Sequence, residues 1–182
     1  LQDILKERAE VAFKDKVLEE GVISKCAAFA AREHGDARRA LDLLRIAGEL
    51  AEREGSGKVT LQHIDMANSK IERDKMLDTI ESVPKQYHLV LASIMLLSKN
   101  NIEEIFTGDV YNKYQEICEK TKNEFLTQRR VSDILAEFDM LGVINTRVIS
   151  KGRQGRTREI KLMISPGVKE KAWEMLQNSL EL

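Results

Sequence analysis

Between Pro84 and Ile164 the hydrophobic period switches from helical to alternating, and the order of that switch limits what the chain can fold into. "PKQYHLVLASIMLLSK" reads as a helix opened by a proline, which the first turn tolerates. "GDVYNKYQEICEKT" is a second helix. A third begins at Thr127 and carries Val131, Ile134, Leu135, Phe138 and Leu141 at helical spacing. Two runs rich in branched residues follow, "VINTRVI" and "REIKLMI", joined by the glycine-containing turn "SKGRQG". A last helix covers about Gly167 to Gln177. Helix, helix, helix, hairpin is the order of a winged helix-turn-helix.

The chain before this region is helical throughout. Leu1, Ile4, Leu5, Ala9, Val11 and Ala12 share a face of a first segment. A second runs from Val22 to Glu33 and stops at His34–Gly35. The third starts at Asp36, carries Ala40, Leu41, Leu43, Leu44, Ala47, Leu50 and Ala51 on a broad arc, and ends in "EGSG". Thr60 caps a fourth, "TLQHIDMANSKIERD". Helices with short joints make a small bundle. The expected fold class is mainly α: a helical bundle over residues 1–74, then a winged helix-turn-helix domain with a β-hairpin wing over residues 75–182. The boundary falls between about Ile71 and Leu77.

Charge and cysteines narrow the function classes. Twenty-nine Lys and Arg against thirty Asp and Glu leave no overall field, so any electrostatic message lies in local clusters. Cys26 and Cys118 stand far apart inside helical patterns, which fits a reducing, cytoplasmic setting and no disulfide framework. Neither they nor the three histidines have metal-ligand spacing, so no metal site is expected. "HLVLASIMLL" is too short to span a bilayer, so no membrane partner is expected. "GSGKVT" imitates the end of a phosphate-binding loop, but Glu52 stands where the first Gly belongs and Val59 follows Lys58. No nucleophile–base pair is visible, and the chain by itself is expected not to be an enzyme. It opens inside an amphipathic helix without a cap and reads as a portion of something longer.

Two arginines stand where cations are not expected. Arg8 falls between Ile4 and Leu1 on the helical wheel, inside the apolar stripe. A buried guanidinium there needs an anion; otherwise the side chain snorkels to water or pairs with a neighbouring carboxylate. In "HGDARRALDLLR" Arg38 and Arg39 occupy a first turn, where the positive end of the helix dipole favours acids. Arg38 lies on the polar face beside Asp42, Arg45 and Glu49. It is either one more member of a solvated ion-pair face or a cation held against a phosphate.

A third stretch suits nucleic acid. In "TQRRVSDILAEFDMLG", Thr127 caps the helix and Gln128, Arg129 and Arg130 point away from the apolar stripe. The second helix of a helix-turn-helix presents its first residues to base edges in the major groove, where Arg reads guanine and Gln adenine. The hairpin adds Lys151, Arg153, Arg156 and Arg158 around Gly152, Gln154 and Gly155, with Glu159 the acid nearest the tip.

"GDARRALDLLRIAGELAERE" resembles the sensor-two helix of AAA+ proteins, in particular the archaeal replication initiators related to the origin recognition complex and the cell-division-control loader. "VSDILAEFDMLGVINTRVISKGRQGRTREIKL" resembles their C-terminal winged helix, so the likeness covers both a lid and a winged-helix domain. It implies that Arg38 reaches the γ-phosphate of ATP in a neighbouring ATPase core, with Arg8 of "ILKER" also at the nucleotide. It implies that Thr127, Gln128, Arg129 and Arg130, with the wing residues Lys151, Gly152, Arg153, Gln154, Arg156 and Arg158, contact double-stranded origin DNA. Gln154 departs from the aromatic residue frequent at the wing in that family. ATP or ADP with Mg²⁺ would belong to the full-length parent, none being held by this portion alone. Other initiator copies and the replicative helicase are further implied partners, and the implied location is the nucleoid-associated cytoplasm. The competing readings are a winged-helix protein-docking module and a transcriptional regulator.

Overall fold

The computed structural model describes residues 1–33, 35–99, 104–150 and 156–181. The chain forms two compact units, Leu1–Asp74 and Lys75–Leu182. In the first, α1 (Gln2–Ala12), α2 (Val22–Arg32), α3 (Ala37–Arg53) and the start of α4 (Leu61–Ser82) surround one core. Leu5, Val22, Cys26, Ala30, Ala40, Leu43, Ala47, Ile64 and Ala67 are fully buried in it. Burial pushes the Cys26 thiol up to about 11, so it stays a neutral core residue.

Local chemistry explains the helix ends. Asp36 is the N-cap of α3 and accepts from the Arg38 N–H at 2.9 Å. Gly35, in the left-handed region at φ +73°, lets its N–H return to the Ala30 carbonyl and close α2. The "GSGK" turn is shut by Ser56, whose hydroxyl donates to the Lys58 carbonyl at 2.7 Å. Val59 then bridges to Leu18 in a short parallel contact. At the start of α4 the Thr60 N–H donates to His63 Nδ1 at 2.9 Å, an imidazole doing what a Glu does in a capping box. The other ring nitrogen of the buried His63 meets Glu54 at 3.0 Å.

Two expectations change here. The fourth helix does not stop near Asp74 but runs to Ser82, through the division between the units. "KMLDTIES" contains no breaker, and the first residue that cannot continue the helix is Pro84, which also disfavours helical backbone at Val83. The apolar stripe of α1 is narrower than its sequence suggests. Leu5 and Ala9 are buried, but Leu1, Ile4 and Val11 are exposed.

In the second unit α5 (Lys85–Lys99), α6 (Thr107–Lys120), α7 (Gln128–Met140) and α8 (Pro166–Leu180) enclose a separate core with Leu89, Ile94, Tyr114, Ile134, Leu135 and Phe138 at its centre. The hairpin is β2 (Ile144–Ser150) paired antiparallel with β3 (Arg156–Leu162), Ile144 opposite Leu162 and Ser150 opposite Arg156. A two-residue strand, β1 (Ile105–Phe106), adds to the other edge of β3, giving the order β1-β3-β2. It is too short for an alternation to announce it. No helix among the described residues is long and apolar enough to cross a membrane.

Gly48 in α3 is required by close approach. A Cβ there would lie 2.8 Å from Cε1 and 3.1 Å from Cζ of Phe13. Intrinsic helix propensity alone predicts that Gly48→Ala stabilises α3 by about 1 kcal/mol. Overpacking against the ring outweighs that, and the expected net change in urea denaturation is a loss of about 1–2 kcal/mol. Adding Phe13→Leu should recover part of it.

Candidate nucleic-acid interface and exposed arginines

The first turn of α7 is presented by packing on one side and capping at the end. Val131, Ile134, Leu135 and Phe138 are buried, so the helix can turn only one face inward. Thr127, Gln128, Arg129 and Arg130 are all exposed. The Thr127 hydroxyl accepts from the Arg130 N–H at 3.5 Å. Arg130 makes a 3.5 Å pair with exposed Asp133, and Arg129 has no ion-pair partner among the described residues. A surface pair of that length holds the cation weakly.

Two tyrosines of α6 fix where this helix begins. Tyr114 Oη accepts from the Leu126 N–H at 2.8 Å, and Tyr111 Oη donates to the Leu126 carbonyl at 3.2 Å. Leu126 immediately precedes the cap, so both backbone groups next to α7 are tied to α6. Burial pushes the Tyr114 phenol up to about 12, keeping it protonated. Tyr87 of α5 steadies the far end. Its ring meets Phe138 edge-on at 5.6 Å and its hydroxyl donates to Glu137 at 2.6 Å, which raises its pKa.

The hairpin lies against the same helix. Thr146 of β2 gives both donors to Asp139, N–H to Oδ1 at 3.0 Å and hydroxyl to Oδ2 at 2.9 Å. Arg158 of β3 donates to the Ser132 carbonyl at 3.4 Å and is half-buried. Arg156 is exposed, whereas Arg158 is turned onto α7 rather than out to solvent. Lys151, Gly152, Arg153 and Gln154 lie outside the described residues. Periodicity does not disclose Tyr111, Tyr114, Ser132 or Thr146, because their partners lie outside their own helix or strand. Asp139 left one trace, an acid in the last turn of a helix where the dipole favours cations. Arg147, exposed and opposite Glu159, is a further wing cation that lies on β2, outside the basic turn.

In the first unit the adjacent arginines separate. Arg39 pairs with Glu33 at 2.9 Å and with Glu72, and donates to Asn68 at 3.2 Å. Its anions are within the chain, joining the start of α3 to α4 and to the end of α2. Arg45 takes Glu49 at 2.6 Å and Asp42 at 3.4 Å. Arg38 is exposed, with no side-chain partner among the described residues. Arg8 is exposed as well, as in the reading in which its head reaches water. Only the ridge through Leu5 and Ala9 faces the core, and Arg8 shares its open face with Ile4 and Val11.

A family described as "CDC6, C terminal winged helix domain" matches residues 78–172, and "Cdc6 AAA+ ATPase-type lid domain" matches residues 2–69. The chain belongs to the Cdc6 family. Its Cdc6 lid contains Arg8 and Arg38, and its Cdc6 winged helix contains α7 and the hairpin. Among curated relatives, an ORC1-type DNA replication protein of Pyrococcus abyssi is 57% identical over 166 residues, covering 91% of this chain and 40% of that protein. One from Archaeoglobus fulgidus is 51% identical over 174 residues, covering 96% and 42%. The chain thus spans about two fifths of the length of these relatives. A solved structure of the Aeropyrum pernix ORC1 protein in complex with DNA superposes with a TM-score of 0.81 at 46% identity, over 98% of this chain and 46% of that one.

The different settings of the two arginines give them opposite expected phenotypes. Arg39→Met strands Glu33 and Glu72 and should lower stability by about 1–2 kcal/mol in urea, followed by far-ultraviolet circular dichroism. Arg38→Ala should leave it within about 0.5 kcal/mol. Equal losses would show that Arg38 is also held within the lid.

Proposed function

We propose that this chain is the lid and winged-helix portion of a DNA replication initiator, and that its winged helix binds duplex DNA at origins. The observation that carries the reading is the exposed first turn of α7, Thr127 to Arg130, set beside the hairpin. The DNA complex of the 46% identical Aeropyrum pernix protein supports it. The helix would enter the major groove, with Gln128, Arg129 and Arg130 toward base edges. The wing, through Lys151, Gly152, Arg153, Gln154 and Arg156, would follow the adjacent minor groove and backbone.

The lid would report nucleotide state. An uncommitted guanidinium at a helix start, as at Arg38, suits a phosphate tail, and Arg8 on the open face of α1 suits the same site. The exposed Ile4 and Val11 beside Arg8 suit packing against the ATPase core that would hold ATP or ADP with Mg²⁺. That core would supply the chemistry of hydrolysis; Arg8 and Arg38 would bind and orient the phosphates. Other initiator copies and the replicative helicase would be partners of the whole protein. The uncommitted Arg38 disfavours a plain transcriptional regulator, in which it has no purpose.

Fluorescence anisotropy against duplex DNA tests the reading. With about four to six phosphates neutralised, log K should fall by about 0.9 per contact against log salt concentration. Arg129→Ala or Arg130→Ala should cost about 1–3 kcal/mol if that residue reads a base. Unchanged affinity after removal of both arginines and the wing cations would refute it.

A further inference from the structure

Asp139 stands in the last turn of α7, where a carboxylate opposes the helix dipole, so its presence calls for a compensating contact. Both of its oxygens are taken by Thr146, at 3.0 and 2.9 Å. Near the other end of the same helix, Arg158 holds the Ser132 carbonyl at 3.4 Å. Ser132 and Asp139 are seven positions apart, so they lie on one side of α7, about 10 Å apart along its axis. One tether would let a hairpin swivel against a helix. Two tethers, one from each strand, set the angle between them.

We infer that Asp139, Thr146 and Arg158 are positioning residues that clamp the wing to α7, so that helix and hairpin meet DNA as one preformed unit. The inference rests on the DNA-binding reading above. It gives Arg158 a role other than the phosphate contact its position in a basic wing suggests: its guanidinium orients β3, while Arg156 and Arg147, exposed and without an ion-pair partner among the described residues, would face the backbone. A preset angle removes the cost of ordering the hairpin when DNA arrives. Asp139 thereby supports binding to a polyanion while carrying the same sign of charge.

That sign makes the clamp testable. If charge alone mattered, Asp139→Asn would tighten binding to a short mixed-sequence duplex, because it removes a negative charge. The clamp predicts the reverse, a weakening of about three- to tenfold, since the amide keeps only one acceptor for two donors. Thr146→Val should weaken binding in the same direction, and Thr146→Ser, which keeps both donors, should restore it. Arg158→Lys, which keeps the charge but loses the planar fork, should also weaken binding. Hydrogen exchange on the unliganded chain gives an independent readout: the Thr146 amide should be protected in the parent and exchange faster in Asp139→Asn, with the core amides of α5 unchanged. Equal or tighter DNA binding by Asp139→Asn, or an unprotected Thr146 amide in the parent, would overturn the inference. Failure of the parent to bind duplex would overturn the DNA reading and the positioning role with it, while exchange would still show whether the clamp holds.

Discussion

The buried stripe of Val131, Ile134, Leu135 and Phe138 is the constraint on which the second unit depends. Once those four side chains are buried, the rotation of α7 is set, and Arg129 and Arg130 of its first turn face solvent. The cap at Thr127 and the two tyrosines on Leu126 settle where the helix starts; Thr146 and Arg158 settle what lies beside it. A cationic surface results from an apolar cause. Arg129 and Arg130 are outward because nothing charged can occupy the side that the stripe has taken.

The lid uses the same device with a different outcome at each of two neighbouring positions. Helical geometry turns Arg38 and Arg39 about 100° apart, and that rotation separates an anchor from an uncommitted cation. Arg39 reaches Glu33, Asn68 and Glu72, ties three helices together, and is nearly covered. Arg38 projects from the same first turn, where the dipole already disfavours a positive charge. The cap at Asp36 takes the Arg38 N–H and leaves its guanidinium exposed, with no side-chain partner among the described residues.

Much of this was legible in the chain. The order of elements followed from periodicity, and the starts of α3 and α7 from Asp36 and Thr127. The continuation of α4 to Ser82 is hidden by a change of apolar pattern near Lys75, although no residue between Asp74 and Val83 stops a helix. The strand β1 leaves no mark in the sequence, because two residues cannot show alternation. A helical wheel treats every apolar residue as inward, while α1 buries only one ridge and leaves Leu1, Ile4 and Val11 outside, so the apparent stripe around Arg8 is open to solvent.

By itself the sequence determined the elements, their caps, and which turns are cationic, because these depend on neighbours within about one helical turn. Tertiary structure alone decided which cations are free. Whether a guanidinium finds a carboxylate or a carbonyl depends on residues brought close by packing: Glu72 for Arg39, Ser132 for Arg158, and none among the described residues for Arg38. Coulomb and hydrogen-bond energies fall off over a few ångströms of space, whatever the distance along the chain.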